Sequence, residues 1–91
     1  MVEGKFYGEI FMVPYTFAPK GTLFCNGEIL PTVGNEALCS LLGDHYGGVL
    51  PLDFRLPDLR PLDEHGNRRD WRNDEPKYVI VVEGATYPER S

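Results

Sequence analysis

A chain of 91 residues has room for one hydrophobic core, since a domain needs about 50 residues and commonly about 100, so a second core is excluded. With 42% hydrophobic and 25% charged residues the composition is that of a folded, globular chain and excludes a disordered one. The net charge of −5 argues against nucleic acid: Glu3, Glu9, Glu28, Glu36, Asp44 and Asp53 face only Lys5 and Lys20 across residues 1–54, a field that repels phosphate.

In chain order, Lys5 to Val13 carries aromatic and branched side chains and ends at Pro14, which predicts a strand stopped by a residue with no N–H for a ladder. Gly8 weakens that strand, and its use there is to let a backbone or ring pack closely. Pro14 to Gly21 surrounds Tyr15, Phe17 and Ala18 with turn residues. The segment is expected to fold back onto the core, the alternative being an exposed aromatic contact surface.

Residues 22–25 and 28–30 flank Asn26-Gly27, a strong hairpin signal because both residues adopt positive φ in a type I′ turn. A hairpin is therefore expected here, closed by Pro31 at a strand end or edge. Asn35 to Leu42 spaces Leu38, Leu41 and Leu42 at helical intervals and stops at Gly43. Thr32 or Asn35 is placed to cap this two-turn helix, whose leucine face must rest on the sheet because so short a helix is unstable alone.

Leu50 to Leu62 has no period and contains Pro51, Pro57 and Pro61, which predicts an ordered coil without a ladder of its own. Phe54, Leu56 and Leu59 are its expected anchors, and Asp53, Arg55, Asp58 and Arg60 alternate in charge, suited to ion pairs or backbone bonds. Residues 62–75 form a polar variable loop, expected to be mobile or ordered by a partner, with Trp71 either a lid over the core or an interface anchor. Arg68, Arg69 and Arg72 are interleaved with Asp70, Asp74 and Glu75 and read as a solvated face. Tyr78 to Val82, including Ile80, is a continuous apolar run, which predicts a strand buried on both faces: one against the helix, the other against the hairpin region or another subunit. Ala85 to Ser91 carries no element.

The fold class expected from these elements is α+β: a small mixed domain over 1–91 with a few antiparallel strands, one short helix and extensive ordered coil. Cys25 and Cys39 sit in apolar surroundings, where a free thiol behaves as a small hydrophobe. With His45 and His65 they match no tight chelating pattern, so no metal is expected. Neither histidine has a nucleophile beside it, and Tyr46-Gly-Gly48 lacks the lysine of a phosphate loop, so no catalytic or cofactor-binding residue is assigned. Residues 1–30 lack a secretory signal and no apolar run approaches the roughly 20 residues of a membrane span, so membrane insertion is not expected.

Gly8-Glu-Ile-Phe-Met12, Phe17-Ala-Pro-Lys-Gly21, Phe24-Cys-Asn-Gly27 and Leu30-Pro31 resemble the opening of the phage tail-collar domain of short tail fibres and bacterial microcystin-dependent-like proteins. Ala37-Leu-Cys-Ser-Leu-Leu-Gly43, Tyr46-Gly-Gly48 and Phe54-Arg-Leu-Pro-Asp-Leu-Arg60 resemble the rest of its signature, in the family's order, and Tyr78 to Gly84 with Pro88 and Arg90 is similar to the closing strand of bacterial members. Two departures stand out: a tryptophan common in the family near residues 22–24 is absent, and Pro61 follows Arg60 where the family usually has glycine. The resemblance implies a tail-collar-like fold and a structural component of a virion tail, a fibre, collar or baseplate-associated subunit made soluble in the host cytoplasm. Its implied partners are other tail, fibre or baseplate proteins or copies of itself as a homotrimer. The alternative is a small host-surface or glycan-binding module using Tyr15, Tyr46 or Trp71. Asp58, Arg60, Leu56, Leu59, Trp71, Tyr78 and Ile80 are the structural and interface candidates.

Overall fold

The structure, a computed structural model, describes residues 6–83; Lys5, Gly84 and the tail Ala85 to Ser91 lie outside the described residues. Among the described residues five strands and one helix follow the order β1 (Ile10–Val13), β2 (Thr22–Phe24), β3 (Ile29–Pro31), α1 (Glu36–Leu42), β4 (Asp53–Arg55) and β5 (Lys77–Val81). They make a small α+β domain of two antiparallel sheets, one ordered β1-β5-β2 and the other β3-β4.

β5 is the central strand. Its Val79, Ile80 and Val81 are fully buried, as their unbroken apolar run predicts. The register pairs Ile10 and Leu23 with Ile80, and Phe11 and Phe24 with Val79. Residues directly opposite share a face, so Ile80 and Leu23 look toward the main core, where Cys25, Leu30, Leu38, Phe54 and Leu56 close around them with Leu42 and Val82. Burying the three β5 side chains contributes on the order of 6 kcal/mol before entropy is counted. The second face, carrying Val79 and Val81, is covered within the same chain and not by another subunit: Trp71 lies on Phe24 with ring centroids 5.8 Å apart, and Thr22 is held to Pro19 by both its N–H and its hydroxyl.

α1 puts Leu38 into the core as its leucine spacing predicts. Asn35 precedes it without a side-chain cap; its amide donates instead to the Pro31 carbonyl, while Gly43 N–H closes the last turn on Cys39 O at 2.7 Å.

Five local expectations are corrected. The first strand begins only at Ile10, because residues 6–9 turn: Glu9 N–H bonds Phe6 O, and Gly8 N–H bonds Val81 O. A Cβ at Gly8 would meet Leu41 at an ordinary 3.6 Å, so close packing is not the reason for this glycine. The Asn26-Gly27 turn is not a hairpin: Gly27 has φ +79, but among the described residues none other than glycine has positive φ, so the type I′ requirement fails at Asn26. β2 joins β5 and β3 joins β4, and the turn carries the chain from one sheet to the other. The proline-rich coil contains a strand, β4, whose Phe54 pairs with Leu30. Tyr15 and Phe17 do not bury; they stack on each other at 5.1 Å and stay exposed, favouring a contact surface over core packing.

The return from α1 to β4 depends on Gly48. With φ +100, it passes so close to β4 that a Cβ would lie 2.5 Å from the Phe54 Cα. Gly34, at φ +87, faces open space. Gly48→Ala is therefore expected to cost about 3 kcal/mol and Gly34→Ala about 1 kcal/mol in urea unfolding; equal losses would show that conformation alone, and not the backbone contact, governs Gly48.

Candidate functional site

Outside the strands, Cys25 to Glu28 and Leu56 to Leu59 run against each other and are joined by main-chain bonds. Leu56 N–H donates to Glu28 O at 2.9 Å, Gly27 N–H to Pro57 O at 3.2 Å, and Leu59 N–H to Cys25 O at 2.8 Å. An antiparallel bridge joins Asn26 to Asp58, so the β3-β4 ladder continues past both strands. Glycine at position 27 admits the carboxylate: a Cβ there would stand 3.3 Å from Asp58 Oδ2. Cys25 N–H also reaches Tyr78 O at 3.0 Å, which ties this junction to β5.

Asp58 and Arg60 form its polar centre. Arg60 Nε and Nη2 donate to the two Asp58 oxygens, both at 2.9 Å, and Arg60 N–H adds a third bond at 3.2 Å. The remaining arm, Nη1, donates to Asp70 at 2.9 Å, and Arg68 donates to Arg60 O at 2.6 Å. The Arg60 guanidinium beside Asp58 holds that carboxyl below its ordinary range, and the two carboxylates hold the guanidinium firmly charged. Burial, reinforced by the Asp58 charge, pushes the Cys25 thiol up to about 12, so it packs in the core as a protonated hydrophobe.

The remaining candidates divide by burial. Leu56 and Ile80 are core residues and offer no surface. Leu59 is half out of the structure and is held by its backbone bond to Cys25 instead of by side-chain burial. Tyr78 is partly exposed on β5, on the same face as its partner Met12. Trp71 is half-buried over Phe24 and, with Arg60, Asp70, Asn26 and Asn73, lines a shallow groove. Tyr15 and Phe17 line a different groove, along Met12 and Val13, and Tyr46 lines neither.

The polar loop is tied internally. The Asp63 carboxylate accepts from His65 and Asn67 N–H, and Leu62 bridges Arg68. Arg69 grips Glu75 with two bonds of 2.8 Å, and Arg72 N–H adds a third at 2.7 Å. Those bonds, the Arg69 pair first, bring the Glu75 carboxyl down to about 2. Arg69 N–H bonds Pro61 O, so the residue after Arg60 also closes this turned loop. Lys77, which sequence reasoning passed over, is buried, and its ammonium donates to the carbonyls of Arg72, Asn73 and Glu75. The signal was present: Lys77 shares the two-residue period of Val79 and Val81 and so faces inward.

The junction joins Phe24-Cys-Asn-Gly27 to Leu56-Pro-Asp-Leu-Arg60, the motifs on which the resemblance rests, and the Phage Tail Collar Domain family matches residues 8–62. The chain belongs to the phage tail collar family. No curated protein and no solved structure matches it. Collar membership associates the chain with phage tails. Among the described residues no helix is long and apolar enough to cross a membrane.

Asp58→Asn turns one acceptor of Arg60 into a donor and is expected to cost about 2 kcal/mol, whereas Asp70→Asn, at an exposed pair, costs under about 0.5 kcal/mol; chemical unfolding of both collar variants checks the contrast. Asp58 and Glu75 both titrate lower folded than unfolded, so the stability they contribute is complete above the unfolded values of 3.8 and 4.5 and is lost as pH falls through the folded ones, about 2 for Glu75. The urea midpoint is expected to hold from about pH 7 to 5 and fall below about pH 4.5, less steeply in Glu75→Gln; an unchanged slope in that variant would remove Glu75 from the account.

Proposed function

We propose that this collar-family chain is a structural component of a phage or phage-like tail, a fibre, collar or baseplate-associated subunit that works through protein-protein contacts. The observation that carries the reading is the family match over residues 8–62, together with a junction in which the matched motifs hold one another. The bonds at Asp58 and Arg60 serve as internal bracing, which suits a part that transmits geometry.

Self-association is supported by an apolar surface at the far end of the β3-β4 ladder. Thr32 N–H bonds Leu52 O and Leu52 N–H bonds Val49 O, which brings the segments carrying Val33, Val49, Leu50 and Leu52 together beyond the Pro31–Asp53 pair. All four are exposed, Val33 at 82% and Leu52 at 72%. Clustered exposed apolar residues on a small domain mark a contact surface, and a second or third copy covering it gives the homotrimer of this reading. Val79, Ile80 and Val81 need no such cover.

Light scattering on the full chain leaving a size-exclusion column, across the low micromolar range, is expected to give a trimer that persists on dilution and a monomer for Leu52→Glu. A folded wild-type monomer would remove the homotrimer and leave a tail adaptor completed by other tail proteins.

A further inference from the structure

We infer that the groove beside Trp71 is a binding site for one ring of a neutral sugar. This goes beyond the tail assignment and stands on different residues from the apolar surface. The groove has a volume of about 230 Å³, below the roughly 300 Å³ at which sites for drug-sized ligands begin, so it suits a single small ring.

A hexose presents an apolar face of C–H groups and a rim of hydroxyls that both donate and accept. The groove offers both counterparts. Trp71 supplies the aromatic platform, and its contact with Phe24 at 5.8 Å and 48° holds the indole in place, so little side-chain freedom is lost on binding. Around it stand polar groups with capacity to spare. Asp70 gives one carboxylate oxygen to Arg60, and its other oxygen has no partner among the described residues. Arg60 has five N–H donors, of which its side chain commits three, to Asp58 and Asp70. Asn26 uses its oxygen to accept from Glu28 N–H, leaving its amide donors, and the Asn73 amide has no partner among the described residues. Acceptor and donors lining one groove match the paired needs of neighbouring hydroxyls.

Charge selects the class of sugar. The Arg60 guanidinium already faces two carboxylates, and the Lys77 ammonium is turned into three backbone carbonyls. The Arg60 charge is thus already balanced by carboxylates and the Lys77 ammonium protons are turned away into the backbone, while the exposed Asp70 carboxylate repels an acidic sugar. A neutral hexose or N-acetylhexosamine meets no such penalty.

Trp71 is the single tryptophan of the chain, so its emission reports this groove alone. The full chain is titrated with glucose, galactose, mannose, N-acetylglucosamine and N-acetylgalactosamine, with glucuronate as the anionic comparator; side-chain amide shifts of Asn26 and Asn73 provide a second readout. At least one neutral sugar is expected to saturate the response with a Kd of about 1–10 mM. Asp70→Asn is expected to weaken it about tenfold while leaving the unfolding midpoint in place. Responses that stay linear for every neutral sugar in both readouts, a response to glucuronate alone, or equal affinity in Asp70→Asn would each overturn the assignment. None of these outcomes bears on the oligomeric state, so the tail reading stands or falls separately.

Discussion

The burial of β5 is the constraint on which the rest of the domain depends. β1 and β2 do not pair with each other; each pairs only with β5, so the three-stranded sheet exists only when residues 77–81 lie between them. Both faces of that strand must then be covered in a chain with few elements to spare. Leu38 of α1 and the β3-β4 pair take one face, and the loop bearing Trp71 takes the other. The short helix, marginal alone, becomes stable because Ile80, Phe54 and Leu56 offer its leucines a floor.

The second level of organisation is backbone pairing between segments far apart in sequence. Cys25 to Glu28 and Leu56 to Leu59 hold each other by main-chain bonds, and the Asp58–Arg60 pair completes them at the rim. The collar signature is thus spent on making two irregular segments behave as an extension of a ladder. That is an architectural use of polar residues: the carboxylate and guanidinium are half-buried, mutually satisfied and committed to position. A part built this way resists distortion, because each polar group that bends with the backbone must break a bond to do so.

How much of this could be read in the sequence depended on how local the deciding interaction was. β5 and α1 were legible because an unbroken apolar run and a leucine spacing carry their own evidence of burial. The Asn26-Gly27 turn was misleading because its residues suit a hairpin, while the pairing of β2 with the buried β5 and of β3 with β4 decides where the flanking strands go. β4 escaped notice because Phe54 is the one buried residue of a three-residue strand set among prolines. The Asp58–Arg60 pairing was within reach, since the two residues are close in sequence; the Asp70 arm was not, because it depends on how the loop returns. Lys77 was hidden in plain composition, a charge beside an apolar run, and only its parity with Val79 and Val81 betrays that it faces inward.

The loop after Arg60 has a consequence for how such a domain can change. It is fastened at both ends, by Arg69 to Pro61 and by Lys77 to three carbonyls, and residues 62–68 turn back on themselves between those fastenings. Nothing between Leu62 and Pro76 is buried in the core or belongs to either sheet. Its tip is therefore a cassette: sequence there can be exchanged, and the surface diversified, without renegotiating the framework that carries it.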